Sequence, residues 1–301
     1  MQRLSGPVLI ILATVLWGTT GTTQQLAPDA ASPLTIGAMR LAVAAVTLMA
    51  IAGTTGHLGN LRGLRRPATL LAAVGVAVYQ PFFFLAVDNT GVVMGTIVAL
   101  GTAPVFGGLM AWGLDKSVPS RLWSTATAVA IVGVGLLIAA GSEIGASGDG
   151  VGFAIVAGAA YATYVIAARQ LAREGNALGS TTIIFSLAAI FLLPLLATDD
   201  LGWVGTAGGL VTVLHLGVLA TAVAYLLFAS GLETTRSTTA TTLSLGEPVT
   251  AAVLGVIVVG ERPPALGWIG FALVLAALAV VAAEGQSPRF RRLDGQRQGL
   301  P

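Results

Sequence analysis

Glu247 is the residue in this chain whose type and position could most directly support proton chemistry. It stands inside the stretch Leu243–Arg262, which is apolar enough to lie in a bilayer, and Pro248 follows it directly. A carboxylate at membrane depth is costly unless it faces water, a partner or a proton, and a proline removes a backbone donor from its helix. A charge and a proline inside one helix predict that the helix lines a cavity and does not face lipid.

The distance of Glu247 from the start of its helix predicts a carboxyl group near the middle of the membrane. Glu247 follows Arg236 by eleven residues, a rise of about 16 Å at 1.5 Å per residue. That rise is close to half of a hydrocarbon core of about 30 Å. Two interpretations stay open: a carboxylate that exchanges protons or binds substrate, and a structural acid that hydrogen-bonds the backbone freed by Pro248.

Other polar side chains also lie inside apolar runs. Arg40 could pair with a substrate carboxylate, but a structural ion pair or a side chain that reaches toward the membrane surface is the plainer interpretation. His215 is expected to be a local hydrogen-bond partner rather than a proton relay. Uncharged groups that could bond across helices or into a cavity are Gln24, Gln25, Gln80 and Ser244.

Several kinds of chemistry have no support in the sequence. The chain has no cysteine, and its two histidines and 13 scattered acids offer no metal-ligand spacing. Phosphate loops and nucleophile elbows are absent. We therefore expect neither a cofactor nor a bound metal.

The composition is that of an integral membrane protein. Of 301 residues, 55% are hydrophobic and 9% are charged, against about 25% charged in a soluble domain. A spanning helix needs about 20 apolar residues, and short polar linkers separate ten such runs. The runs are Pro7–Ala27, Pro33–Gly53, Ala68–Val87, Gly91–Leu114, Arg121–Ala140, Gly152–Leu171, Thr181–Ala197, Leu210–Ser230, Thr238–Val259 and Ala265–Ala283.

The placement of basic residues predicts the orientation. If the linkers alternate between the two sides, one side holds the N-terminus, residues 286–301 and thirteen Lys or Arg residues in all. The linkers on the other side hold only Arg262. By the positive-inside rule both termini are cytoplasmic. We expect a multi-pass protein of the plasma or inner membrane whose residues 286–301 form a polar cytoplasmic tail.

An internal repeat relates the two halves of the chain. Trp17 matches Tyr161, Phe84 matches Phe228 and Pro104 matches Pro248, each 144 positions on. Each half holds five predicted helices, an odd number, so the second half enters the membrane from the opposite side. This predicts an all-α fold of two inverted five-helix repeats, residues 1–145 and 146–285, around a central cavity.

Four motifs lie along this repeat: WG near the end of the first helix, Arg40 in the second, APVF in the fourth and EPV…GER across the ninth. Together they resemble the drug/metabolite transporter superfamily, and within it the ten-helix EamA family. The resemblance implies export or exchange of small metabolites, amino acids prominent among them, and a cavity lined by helices one, three, four, six, eight and nine. The family's single-repeat relatives couple transport to protons through a Glu in the first helix, which has no counterpart here beside Thr14 and Trp17.

The resemblance places a set of aromatic and polar side chains on the cavity-lining helices. Tyr161 and Tyr164 are three residues apart and share a helix face. Packing or lipid contact is the alternative for each ring. The predicted substrate-binding residues are Trp17, Tyr79, Gln80, Phe83, Tyr161, Tyr164, Tyr225 and Ser244, with Glu247 as the coupling residue.

These observations favour a secondary transporter that works by alternating access. Mostly apolar aromatic walls suit an amphipathic or aromatic metabolite better than a highly charged one. The expected partners are a small-molecule substrate and the lipid bilayer, without nucleic acid, and the expected state is a monomer or weak homodimer. The alternatives are a membrane-embedded enzyme, which would need His, Asp or Glu clusters near an interface, and a membrane protein without transport activity.

Overall fold

The described part of the chain is built from helices alone. A computed structural model describes residues 5–55, 67–115, 121–143, 147–172, 177–234, 243 and 246–284, and no strand occurs within these ranges. The α-helices are α1 (Gly6–Gly18), α2 (Thr20–Gln25), α3 (Pro33–Thr54), α4 (Pro67–Thr90), α5 (Val92–Asp115), α6 (Arg121–Glu143), α7 (Gly148–Ala172), α8 (Ala177–Leu192), α9 (Ala207–Leu214), α10 (Ala224–Thr234), α11 (Gly246–Leu254) and α12 (Ala265–Glu284).

Seven helical segments among the described residues are long and apolar enough to cross a membrane. They are Gly6–Gln25, Pro33–Thr54, Pro67–Thr90, Val92–Met110, Gly148–Ala168, Leu178–Ala197 and Ala207–Phe228. Three shorter apolar helices, Arg121–Leu137, Gly246–Val259 and Ala265–Val280, stand where spans five, nine and ten are predicted. The prediction of an all-α membrane protein is confirmed, whereas the count of ten spans stays a prediction.

Local sequence signals explain where several helices begin. Helix α3 has Pro33 in its first turn, and the hydroxyl of the preceding Ser32 accepts a hydrogen bond from the Thr35 amide at 3.3 Å. Thr206 does the same for α9, where the Gly209 amide donates to its hydroxyl at 3.0 Å. These caps satisfy amides that a helix N-terminus leaves without partners, and proline is tolerated there because its missing N–H is not needed.

Helices from one half of the chain pack against helices from the other in a regular exchange. Helix α3 packs on α8 and α6 packs on α12, and the repeat makes each of these pairs equivalent helices. Helix α4 packs on α7, and the equivalent pair under the repeat, α10 and α1, also packs together. Likewise, α5 packs on α7, and its equivalent α11 packs on α1. This pattern fits a two-repeat architecture with a pseudo-two-fold relation between the halves.

The linkers that the charge pattern assigns to one side of the membrane contact each other. The Ser32 hydroxyl donates to the Asp199 carboxylate at 2.5 Å, and the Ser147 amide donates to the Asn89 carbonyl at 3.3 Å. A third contact joins the loop around Glu261 to the turn between α4 and α5. These linkers therefore lie at the same end of the bundle, hereafter the Glu261 end.

Glu261 caps a helix from the other half of the chain. Its carboxylate accepts hydrogen bonds from the amides of Val92 and Val93, the latter at 3.0 Å, at the first turn of α5. Gly91 precedes this turn with φ +83°, a conformation that favours glycine. A negative charge is stabilised at a helix N-terminus by the orphan amides and the helix dipole. Glu261 is half-buried, and its hydrogen bonds join the two repeats.

Removing this cap will destabilise the protein. We expect Glu261→Ala to lower the free energy of unfolding by about 1–2 kcal/mol, the range for loss of a helix cap. The measurement is the melting temperature of the purified full chain in detergent. The matched control is Arg262→Ala, which removes the exposed neighbouring charge and should leave the melting temperature within about 1 °C of wild type. Equal melting temperatures for the two variants would contradict the capping role.

Candidate functional site

Four tyrosines from both halves of the chain converge inside the bundle. Tyr79 lies on α4, Tyr161 and Tyr164 lie on α7, and Tyr225 lies on α10. The ring centroids of Tyr79 and Tyr161 are 5.7 Å apart, and those of Tyr164 and Tyr225 are 6.3 Å apart. The hydroxyls of Tyr164 and Tyr225 also share a hydrogen bond. We call this group the tyrosine cluster.

The tyrosine cluster surrounds a small cavity. Val76 and Gln80 complete its lining, and its volume is about 10 Å³. A space of this size holds about one water molecule. In this conformation the cavity is therefore too small for a metabolite.

Trp17 and Phe83 extend the aromatic surface on two sides of the cluster. The ring of Trp17, on α1, lies 5.0 Å from Tyr225 and 5.1 Å from Phe228. Phe83 stacks on Tyr79 at 5.3 Å and is buried among the core side chains. The indole Nε1 of Trp17 is buried without a hydrogen-bond partner among the described residues. An N–H donor without a described acceptor therefore belongs to a ring that contacts the cluster.

Glu247 stands in the first described turn of α11, where this helix packs on α1. A methyl group added at Gly18 would lie 2.8 Å from the Glu247 carbonyl oxygen, which shows how closely the two helices approach. The carboxyl group is near enough to Tyr79, Tyr161 and Tyr225 to interact with them electrostatically. Within the described residues it has neither a hydrogen bond nor an ion pair. It is thus a half-buried acid beside the tyrosine cluster.

Arg40 is the functional candidate whose surroundings differ most from expectation. It is 5% exposed, so it does not reach toward the membrane surface, and no ion pair with it is present in the described part of the chain. Its Nε donates to the Thr221 hydroxyl at 2.7 Å and its Nη1 to the Gln80 side-chain oxygen at 3.2 Å. Its Nη2 donates to the Ala220 carbonyl at 3.2 Å. Through Gln80, Arg40 is joined to the lining of the tyrosine cavity.

A π-helical segment supplies two of the acceptors for Arg40. It spans His215–Val223 between α9 and α10, and the Thr221 hydroxyl donates within it to the Leu216 carbonyl, five residues back. The wider turns of a π-helix offset the hydrogen-bond ladder, and such segments often occur at functional sites. Gly217 allows this segment to approach α3, because a Cβ there would lie 2.5 Å from the Cβ of Val43.

The remaining polar candidates hold helices together or lie outside the described residues. The side-chain amides of Gln24 and Gln25 donate to the carbonyls of Phe84 and Val87, at 2.7 and 3.3 Å. His215 pairs with the Thr19 hydroxyl at 2.7 Å, as expected of a local hydrogen-bond partner. Ser244 lies outside the described residues. No cluster of three metal-ligating side chains occurs among the residues that are described.

A larger cavity lies apart from the tyrosine cluster, at the Glu261 end. Its volume is about 480 Å³, and it is bounded by the α4–α5 turn, by α6 and by the loop that carries Glu261. Polar groups at its rim include Asp88, Asn89 and Arg262. None of the described residues predicted to bind substrate lines it, whereas Tyr79, Gln80, Tyr161, Tyr164 and Tyr225 line the smaller cavity.

Together these features define a helical membrane bundle of two related halves with a buried cation, a half-buried carboxyl group and an aromatic cavity at their junction. The model of the EamA-like transporter family matches the chain twice, over residues 4–139 and 149–283. The chain belongs to this family.

Relatives and solved structures agree with the family assignment. The chain is 38% identical to "Uncharacterized transporter YwfM" of Bacillus subtilis, over 92% of this chain and 93% of the relative. It is 21% identical to "Uncharacterized inner membrane transporter YicL" of Salmonella typhimurium, over 93% of this chain and 96% of the relative. A solved crystal structure shares the fold with a TM-score of 0.64 and 19% identity, over 95% of this chain and 100% of that one. The family and these names support membrane transport as the general activity, without enzymatic chemistry.

The close packing of the π-helix on α3 can be tested at Gly217. We expect Gly217→Ala to destabilise the full chain by about 1–3 kcal/mol, because the added methyl overpacks the contact with Val43. The measurement is the melting temperature in detergent. Gly208→Ala is the matched control, since its added methyl would meet only Pro28 at an ordinary 3.5 Å. If Gly217→Ala melted no lower than Gly208→Ala, the described packing of this segment would be wrong.

Proposed function

We propose that the protein is a secondary transporter that exports or exchanges small amphipathic or aromatic metabolites, amino acids among them, by alternating access. The observation that supports this proposal is the tyrosine cluster, in which Tyr79 comes from the first repeat and Tyr161, Tyr164 and Tyr225 come from the second. A substrate site at the junction of two repeats is the plan of many secondary transporters. Aromatic walls with a few polar groups suit the apolar body of such a metabolite.

The small volume of the tyrosine cavity gives this proposal its conformational requirement. A volume of about 10 Å³ admits about one water molecule, so a metabolite enters only when α4, α7 and α10 move apart. Alternating access would supply this movement by rocking one group of helices against the other. The described conformation then corresponds to a closed state of the cycle.

Glu247 is the proposed coupling residue. The titratable and charged groups within electrostatic reach of its carboxyl group are Arg40 on α3, Tyr79 on α4, Tyr161 on α7 and Tyr225 on α10. No described residue holds the carboxylate in an ion pair, so binding and release of a proton would change the charge beside the substrate cavity. A proton gradient could then bias the direction of transport.

Transport assays with the purified full chain in proteoliposomes test both the function and the coupling. We expect counterflow of at least one compound from a panel of amino acids and amphipathic or aromatic metabolites, with faster net uptake under a pH gradient. Glu247→Gln should retain counterflow and lose at least fivefold of the pH-driven rate, because the amide cannot exchange a proton. The control is Asp29→Asn, which neutralises an exposed carboxylate in the linker between α2 and α3 and should transport as wild type does.

Three outcomes would oppose these assignments. Transport confined to polyanions such as nucleotide sugars would exclude the proposed substrate class. A wild-type pH-driven rate in Glu247→Gln with normal expression would make Glu247 a structural residue. Loss of folding in that variant would also favour the structural role.

For location, we propose the plasma or inner membrane with both termini in the cytoplasm. The thirteen-to-one asymmetry of basic residues supports this orientation, and the Salmonella relative is named an inner membrane transporter. Because the chain has no cysteine, single cysteines can report sidedness without background. Cysteines at Asp149 and Asp200 should react with an impermeant thiol reagent from outside the cell. A cysteine at Arg121 should react only after permeabilisation, and the reverse pattern would overturn the orientation.

A further inference from the structure

We propose that Arg40, acting with Gln80, binds the carboxylate of the transported substrate at the edge of the tyrosine cavity. The substrate class is then a monocarboxylate with an apolar or aromatic body, whether or not it also carries an amine. This inference rests on the proposed transport function and adds the group that recognises the substrate's charge.

Arg40 carries a charge that no described carboxylate compensates. Arginine stays protonated in proteins, and a cation at membrane depth normally pairs with an acid or lines a water-filled path. Arg40 is 5% exposed and has no carboxylate within ion-pair distance in the described part of the chain. Its nearest acid in electrostatic terms is Glu247, which it does not contact. An anionic group from outside the protein would supply the missing charge.

The guanidinium of Arg40 keeps donors that no described residue uses. A guanidinium group carries five N–H donors in a planar fork that matches a carboxylate. Neutral acceptors engage three of them, one each on Nε, Nη1 and Nη2. Nη1 and Nη2 each keep a second N–H without an acceptor among the described residues. Two donors on adjacent nitrogens are what bidentate carboxylate binding needs.

Gln80 lies between the guanidinium of Arg40 and the tyrosine cavity. Gln80 accepts from Arg40 and also lines the tyrosine cavity, so a rotation of its amide would connect the guanidinium with the cavity. Pro81 follows Gln80 inside α4, and a proline there weakens the local hydrogen-bond ladder. The apolar body of the substrate would lie against the rings of Tyr79 and Tyr225, which line the cavity and are near enough to Arg40 to interact with it electrostatically.

A purely structural role for Arg40 makes a different prediction. Its bonds to Thr221 and Ala220 hold the π-helix against α3, and loss of these bonds would lower stability whatever the ligand. It would not change the ratio of affinities for an acid and for its uncharged amide. That ratio is therefore the measurement that separates the two roles.

The experiment measures ligand binding to the purified full chain in nanodiscs, by ligand-induced rise in melting temperature and by quenching of tryptophan fluorescence. The probes share one aromatic body: L-phenylalanine, 3-phenylpropionate, L-phenylalaninamide and phenethylamine. We expect wild type to bind the two acids at least tenfold more tightly than the amide and the amine. Arg40→Lys keeps the charge but not the fork and should lose at least tenfold of the affinity for both acids.

In Arg40→Gln the preference for acid over amide should fall below threefold, whereas Arg121→Gln, which removes an exposed arginine, should leave it unchanged. If Arg40→Gln does not fold, the comparison of probes on wild type and Arg40→Lys still decides. Equal affinities for acid and amide, tighter binding of the amine, or no binding of either acid would overturn the assignment.

Counterflow in proteoliposomes distinguishes failure of this inference from failure of the proposed function. Transport of the acid and the amide at equal rates would remove the role of Arg40 and leave the transport function standing. Selective, Arg40-dependent binding of the acids without counterflow of either would keep the binding site and contradict the transport function.

Discussion

The burial of one cation constrains much of this structure. Arg40 lies on an apolar helix, with neutral oxygens as its described hydrogen-bond partners and the ring of Phe84 5.9 Å from its guanidinium carbon. The surrounding segments provide an amide, a hydroxyl and a backbone carbonyl at 2.7–3.2 Å. The carbonyl and the hydroxyl come from a π-helix, and that π-helix reaches α3 because residue 217 is glycine. Removing a charge from water costs several kcal/mol unless such groups replace the water, so these features depend on one another.

The predictable part of the fold follows from the bilayer itself. With 55% hydrophobic and 9% charged residues, the chain can satisfy its backbone in lipid only by forming helices or a closed barrel, and runs of about 20 apolar residues favour helices. The 144-residue spacing was a sound guide to the relation between halves, since the family model matches each half separately. Helices α1 and α7 pack against equivalent helices of the opposite half, which agrees with the repeat.

The site could be predicted only in part. The tyrosines, Gln80 and Glu247 lie together, as the resemblance and the helix period suggested, although their roles stay predictions. The surroundings of Arg40 could not be predicted, because the family fold assigns its helix to the periphery and a buried cation without an acid contradicts ordinary expectation. A π-helix has no sequence signature comparable to a proline or a cap, since it arises from contacts between helices. The repeat also conceals the asymmetry of the site: Ala103 stands where the second half has Glu247.

The cap formed by Glu261 bears on which parts of the protein can move together. It joins the loop after α11, in the second repeat, to the first turn of α5, in the first repeat, through two charge-assisted bonds. Two halves that separated at this end would have to break both bonds and leave a carboxylate and two amides without these partners. A smaller free-energy barrier results if the α4–α5 turn travels with the second repeat. The unit of motion would then differ from the sequence repeat, and the boundary between moving parts would run within the first repeat rather than between the two.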